Sequence, residues 1–122
     1  MEWKIELVPI PVSDVDLSKA FYTESLGFDL DHDFSPAVGV RVVQMTPPGS
    51  ACSIVVGTGI VDTPPGSIQG LQLVVSDIYA ARAQLIERGV GVTEVQFLGP
   101  GVPMAYFSDP DGNSWALQQA PS

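Results

Sequence analysis

The sequence predicts an α+β fold made of two βαβββ units, and three observations predict it. The segment Val12–Val15 recurs as Val75–Ile78, 63 positions later, as V-S-D-V and V-S-D-I. Each copy follows a run of strand-forming residues and precedes a stretch with the apolar spacing of a helix. Three short strand signals come after each helix. We therefore expect an open, cup-like mixed sheet with the helices on its outer face.

The first unit is expected to span residues 1–59, and its opening strand lies in the run Ile5–Val12. Ser13 and Asp14 suit the N-cap of the next helix, because their side-chain oxygens accept from the free N–H groups of a first turn. Gly27 is expected to end this helix in the left-handed conformation. Three strands should follow, over Phe28–Asp33, Val38–Met45 and Ala51–Val56.

The second unit is expected to span residues 66–120, after a connector over 60–65 that lies in the Gly-, Thr- and Pro-rich stretch Gly57–Gly66. Its opening strand lies in Ile68–Val75, Asp77 is the expected N-cap, and Gly89 is expected to end the helix. Three strands should again follow, over Val90–Phe97, Pro103–Phe107 and Ser114–Gln118. Neither unit is large enough to bury both faces of its sheet alone, so we expect the units to pack on each other or on a second chain.

The length and composition fit one globular domain over residues 1–122. Hydrophobic residues make up 45% of the chain and charged residues only 16%, which excludes a disordered segment. Five basic residues against fourteen acidic ones give a net charge of −9. Because such a surface repels phosphate, we expect no nucleic-acid partner and no anionic membrane, whereas a cationic small molecule would be attracted.

Cys52 is the single cysteine of the sequence. A lone cysteine excludes a disulfide framework and a thiolate metal cluster. The opening residues MEWKIELVPI are mixed in character and unlike a secretory signal. No apolar run approaches the roughly 20 residues that span a bilayer. These observations predict a soluble cytoplasmic protein.

Several short motifs occur together in this βαβββ frame. They are V-S-D before the first helix, Phe21-Tyr22 and Leu26-Gly27-Phe28 within and after it, and F-S-D-P-D-G-N over 107–113. With them, the chain resembles the vicinal oxygen chelate superfamily of glyoxalases, bleomycin-resistance proteins and extradiol dioxygenases along nearly its whole length. The resemblance implies that each unit curls into a cup and that two cups form the site. It also implies a homodimer, often with the cavity built across the subunit contact.

The resemblance implies four positions where enzymes of the superfamily carry metal ligands, usually His, Gln or Glu. Two lie seven residues before the helix-opening Asp and are Leu7 and Gly70 here. One lies four residues after the Gly of the D-P-D-G-N turn and is Ala116; its counterpart at the 63-residue offset is Ser53. These side chains offer a divalent ion no imidazole and no carboxylate, so we expect no metal and no other cofactor.

Strand alternation predicts which side chains share the face of the cup. Small, apolar and amide side chains are mixed there, whereas the opposite face is uniformly apolar. An organic ligand would be held by burial and stacking, with Gln72 and Gln118 setting its orientation. The alternative is that these residues only pack the core of a dimer. The expected ligand-binding residues are Leu7, Pro9, Arg41, Ser53, Gly70, Gln72, Met104, Tyr106, Ala116 and Gln118.

His32 is the only histidine and lies in an acidic strand. Strand alternation places it on the face opposite Asp29, Asp31 and Asp33, so the imidazole and the carboxylates are not expected to converge. The interpretation is a solvated acidic edge with a surface histidine.

The sequence favours a metal-free small-molecule binding protein of the glyoxalase/bleomycin-resistance type, one that sequesters an antibiotic or another aromatic or cationic organic molecule. The alternative is a metal-dependent lyase, isomerase or dioxygenase of the glyoxalase type, which needs ligands absent from the four positions. A third hypothesis is metal-free catalysis by Tyr106, Arg41 or Glu6 as acid–base group, although nothing in their spacing favours it. No catalytic residue is assigned.

Overall fold

A computed structural model describes residues 1–121 and confirms the two-unit βαβββ fold. The first unit contains β1 (Leu7–Pro9), α1 (Val15–Ala20) continuing as a π-helical turn (Phe21–Ser25), β2 (Asp29–Ala37), β3 (Val40–Thr46) and β4 (Ser53–Thr58). The second contains β5 (Leu71–Val75), α2 (Ile78–Glu87), β6 (Gln96–Phe97), β7 (Pro103–Ser108) and β8 (Ser114–Gln119).

The strands form two four-stranded mixed sheets with the same topology. The orders are β1-β4-β3-β2 and β5-β8-β7-β6. In each sheet the first strand runs parallel to the last, and the remaining neighbours are antiparallel. The repeat seen in the sequence is therefore a repeat of strand order as well as of motif.

The helices begin and end where the capping residues predict. The Asp14 carboxylate accepts from the backbone N–H of Leu17 at 3.0 Å, and Asp77 caps α2 in the same way. Gly27 and Gly89 follow the helices with φ of 77° and 85°, a conformation that side-chain-bearing residues rarely adopt. Within residues 1–121, no helix has the length and apolar character that crossing a bilayer requires.

Some strands differ in length from the prediction, for reasons of backbone hydrogen bonding. β1 covers only three residues of the predicted run, which contains Pro9 and Pro11, two residues without an N–H donor. The predicted strand Val90–Phe97 is reduced to β6, because only Gln96 and Phe97 pair in the ladder with β7; the earlier part keeps one backbone bond to β7, from the N–H of Thr93 to the carbonyl of Tyr106 at 2.9 Å.

One core joins both units. It contains side chains from the helix-covered faces of the two sheets and from both helices. Because helices cover only one face of each sheet, the other face of each sheet has no helix over it; we call these the open faces. The fully or almost fully buried members include Ile10, Tyr22, Val43, Met45, Val56, Ile78, Ala105, Phe107, Trp115 and Leu117.

A buried polar network ties the first helix to the closing turn of the second unit, Asp109–Asn113; we call this contact seam one. The Tyr22 hydroxyl donates to Asp109 at 2.8 Å and accepts from the Trp115 indole N–H at 3.0 Å. The Asn113 side chain donates to Asp109 at 2.8 Å and to the carbonyl of Pro11 at 2.9 Å. Each of these polar groups finds a partner, and these hydrogen bonds offset much of the cost of burying them.

Candidate functional site

The open face of the first sheet is defined by the strand register. Pro9 of β1 pairs with Val55 of β4, which pairs with Gln44 of β3, which pairs with His32 of β2. Because paired residues point to the same side of a sheet, these side chains form one row across the open face. Leu7 and Ser53 are paired in the neighbouring row.

A β-bulge changes the orientation expected for the acidic strand. The register shifts between Leu30 and His32, so Asp31 is an extra residue in β2. His32 is paired with Gln44 on the open face, and Asp29 is paired with Thr46 on the same face. The prediction that His32 and these carboxylates lie on opposite faces is therefore wrong for Asp29 and Asp31, because the bulge interrupts strict alternation. Only Asp33 lies on the helix-covered side, paired with Val43.

Three hydrogen-bonded side chains, Asp31, Thr46 and Ser53, lie side by side on the open face of the first sheet. Thr46 Oγ1 donates to the carboxylate of Asp31 in a short hydrogen bond. The hydroxyls of Thr46 and Ser53 lie 2.6 Å apart. Because the single hydroxyl proton of Thr46 is used by Asp31, Ser53 must be the donor in this second bond. The Ser53 oxygen then retains acceptor capacity at a nearly buried position, 6% exposed.

The open face of the second sheet carries two amides in an otherwise apolar setting. Gln72 pairs with Ala116, and Val74 pairs with Gln118 one step along the strands. The Gln72 amide N–H donates to the Gln118 carbonyl oxygen. Across β8, Tyr106 is paired with Ala116 and Met104 with Gln118. Four of the predicted site residues, Gln72, Gln118, Tyr106 and Met104, therefore lie together around Ala116.

Arg41 does not lie with these residues. The prediction that its side chain belongs to the open face is wrong. It lies on the helix-covered side of β3, where its guanidinium donates to Asp33 at 2.9 and 3.1 Å and to Asp16 of α1 at 2.9 Å. The guanidinium of Arg41, assisted by the ammonium of Lys19, holds the pKa of the Asp33 carboxyl well below its usual range. This cluster fixes α1 and β2 to the sheet and has no direct access to an open face.

The strand register also locates the four positions at which the superfamily resemblance implies metal ligands. Leu7 and Ser53 lie on the first open face, while Gly70, with φ of 77°, precedes β5 and donates its N–H to Ser114. Because Gln72 pairs with Ala116 as Pro9 pairs with Val55, the counterpart of Ala116 is Val55 and not Ser53. None of these side chains is a ligand that Zn²⁺ or a related ion prefers, so the residues present do not fit a divalent metal.

The sequence analysis missed three polar residues of the first open face, Asp31, Thr46 and Gln44. The last two alternate along β3 and could have been assigned from the phase of Met45, an apolar residue between them that is fully buried. The bulge that brings Asp31 to this face has no equivalent signal in the sequence.

Comparison with known proteins agrees with this architecture. The family model for the glyoxalase/bleomycin resistance protein/dioxygenase superfamily matches residues 4–117. Among curated protein sequences, none matches the chain.

Solved structures provide similar chains. TnmS3, an antibiotic binding protein from Streptomyces sp. CB03234, is 41% identical with a TM-score of 0.88, and 98% of each chain is covered. A glyoxalase/bleomycin resistance protein from the same organism is 42% identical with a TM-score of 0.82, covering 95% of this chain and 100% of that one. A superfamily member from Sphaerobacter thermophilus DSM 20745 is 31% identical with a TM-score of 0.87, and 98% of each chain is covered. The chain belongs to the glyoxalase/bleomycin resistance protein/dioxygenase superfamily.

Proposed function

We propose that this protein binds a small organic molecule on its open faces without using a metal ion. The observation that carries the proposal is the set of side chains at the positions where the superfamily's enzymes hold a metal. Leu7, Gly70, Ala116 and, by the strand register, Val55 occupy these positions, and none offers an imidazole or a carboxylate. Within residues 1–121, His, Cys, Asp and Glu form no group of three or more suited to a metal.

The chemistry of the open faces supports binding over bond breaking. Most of the surface is apolar, from Leu7, Pro9 and Val55 in the first sheet to Met104 and Ala116 in the second. The polar groups are amides and hydroxyls, apart from the carboxylates and the imidazole of β2. Such a surface holds a ligand by burial and orients it by hydrogen bonds, without a strong acid or base directed at one atom.

The ligand class follows from the same residues. An aromatic body suits the apolar areas and the ring of Tyr106, while hydrogen-bonding groups suit the amides of Gln72 and Gln118. The net charge of −9, with Asp29 and Asp31 on the first open face, favours a ligand that carries positive charge. The similarity to the antibiotic binding protein TnmS3 supports an antibiotic or related natural product as the occupant.

Two copies of the chain are needed in this proposal to enclose the ligand. In a single copy Leu7 is 38% exposed, Tyr106 37% and Val74 62%, so apolar parts of both open faces contact solvent. The N-terminal residues Trp3 and Ile5 are 87% and 73% exposed. Covering one open face with a second copy would remove this apolar area from water, which favours a homodimer with shared pockets.

A thermal-shift screen of aromatic and cationic natural products tests the proposal. A ligand present at 100 times its Kd should stabilise the protein by about 2.7 kcal/mol. The same protein is titrated calorimetrically with Ni²⁺, Fe²⁺ and Zn²⁺. Uptake of one metal ion per chain with micromolar or tighter affinity would contradict metal-free binding, and a screen without any stabilising compound would contradict binding altogether.

A further inference from the structure

The second helix meets the first unit at a contact equivalent to seam one, and we call it seam two. Asp14 and Asp77 cap the two helices, and eight residues after each cap lie Tyr22 and Leu85. Tyr22 is directed at the closing turn Asp109–Asn113 of the second unit. Leu85 lines one cleft together with Pro47 and Pro48, which belong to the corresponding turn of the first unit.

Seam two has lost the polar network that fills seam one. Leucine stands where seam one has the phenol of Tyr22, and the turn holds Pro47 and Pro48, which have no N–H donor and no carboxylate, so the side chains cannot form an equivalent of the Tyr22–Asp109 bond. A cleft of about 190 Å³ remains at this place. It is lined mainly by apolar side chains, among them Phe28, Pro48, Leu73 and Leu85. A cavity of roughly 150 Å³ with such a lining holds benzene in another protein, so one or two fused rings match this volume.

A single cation lies at the edge of this cleft. Arg88, which lines it, donates one hydrogen bond, from Nη1 to the carbonyl oxygen of Ser25 at 3.3 Å. The other four Lys and Arg residues each have a carboxylate within 4.0 Å, whereas Arg88 has none among residues 1–121. An apolar cleft with an unpaired guanidinium matches a ligand that has an apolar body and one carboxylate.

We propose that the cleft of seam two is a second ligand site that takes a small aromatic carboxylate; it shares Val74 with the edge of the second open face but includes neither Gln72 nor Gln118. The rings would fill the space between Leu85 and Pro48, and the carboxylate would accept hydrogen bonds from Arg88. The net charge of −9 opposes an anion at long range, so the preference for a carboxylate over a neutral group must come from direct contact with this one side chain.

Calorimetric titration with naphthoate and with its neutral amide, naphthamide, tests the site. Naphthoate should bind about tenfold more tightly, since the bond to the guanidinium is charge-assisted on both sides. Arg88→Gln should remove this preference. Arg82→Gln is the matched control, because Arg82 lies on the same helix but donates to Thr93 and faces Glu94; it should leave the preference unchanged.

Ala81→Leu, which places a larger side chain in the cleft, should lower the affinity for both compounds. NMR chemical-shift changes in the unaltered protein independently locate the binding site of the compounds. Shifts at Ala81, Leu85 and Arg88 support the site. The proposal is overturned if neither compound binds at millimolar concentration, if both bind equally, if Arg82→Gln acts like Arg88→Gln, or if the shifts appear at Gln72 and Ala116. The screen for open-face ligands is unaffected by these outcomes, so the two sites can fail separately.

Discussion

The hydroxyl of Tyr22 donates a 2.8 Å hydrogen bond to the carboxylate of Asp109, 87 positions further along the chain. The bond lies in the core, and the same hydroxyl accepts from the indole of Trp115. The Tyr22 phenol thereby connects the helical segment of the first unit to the closing turn and to β8 of the second unit. Phe28 stacks on the Tyr22 ring with 5.8 Å between the centroids. Seam one thus depends on a residue that is completely buried.

Tyr22→Phe should destabilise the protein by about 1–3 kcal/mol, because it leaves the carboxylate of Asp109 and the N–H of Trp115 each short of a partner in the core. Denaturant unfolding at neutral pH measures the change. Tyr79→Phe is the matched control, since Tyr79 is 58% exposed. An unfolding free energy equal to that of the unaltered protein would show that the phenol does not hold seam one.

Alkaline pH should remove the advantage that Tyr22 provides. Burial and the nearby carboxylate of Asp109 raise the pKa of Tyr22 far above its ordinary value. Because the pKa is higher in the folded than in the unfolded state, the stabilisation is complete below about pH 10 and declines as pH rises above it. Unfolding free energies of the unaltered protein and Tyr22→Phe should therefore begin to converge only above about pH 10. A constant difference would contradict this assignment.

Acid should act in the opposite direction on Asp33. Its pKa is lowered by Arg41 and Lys19, so its stabilisation is present above about pH 4 and is lost as pH falls further. Asp33→Asn should cost about 1 kcal/mol at neutral pH, and this cost should shrink in acid. Asp62→Asn serves as control, because Asp62 is exposed and lies in the connector. Equal losses for the two variants would exclude a specific role for the Arg41 cluster.

Replacing an amide of the second open face should lower the affinity for the ligand found in the screen by about tenfold. The melting temperature of the free protein should change little. Gln72→Ala and Gln118→Ala each remove one partner of the amide pair. Gln84→Ala is the control, because Gln84 lies on α2 at seam two. Isothermal titration gives the affinities. If the control variant loses as much affinity for the ligand as the test variants do, the ligand does not bind at the amide pair.

Trp3→Ala should weaken the proposed homodimer at least about tenfold, because a buried tryptophan contributes a large apolar area to an interface. Sedimentation equilibrium measures the dissociation constant. Val38→Ala is the control: Val38 is fully exposed, in the turn between β2 and β3. A stable monomer of the unaltered protein at micromolar concentration would contradict the homodimer itself.

Local signals in the sequence were sufficient for the fold. Asp14 and Asp77 begin the helices through their own side chains, and Gly27 and Gly89 follow the helix ends in a conformation that glycine adopts easily. These interactions act within a few residues, so a single sequence reveals them.

The site was only half predictable, because it depends on register between strands. Gln72 and Gln118 were placed correctly on one face since alternation holds through β5 and β8. Alternation fails in β2, where the bulge brings Asp29 and Asp31 to the same face as His32, and the phase assumed for Arg41 was wrong by one residue. Bulges and pairing partners depend on distant parts of the chain, which periodicity does not report.

Seam one has a consequence for the order in which the chain is made. Tyr22 and Phe28 leave the ribosome long before Asp109, Asn113 and Trp115, which cover them in the finished protein. Until residues 109–115 emerge, the first unit lacks the partners that cover this aromatic cluster, and exposed apolar surface of this kind promotes association between partly folded chains. The closing turn Asp109–Asn113 therefore acts as a late folding step during biosynthesis, and chains truncated before it should aggregate.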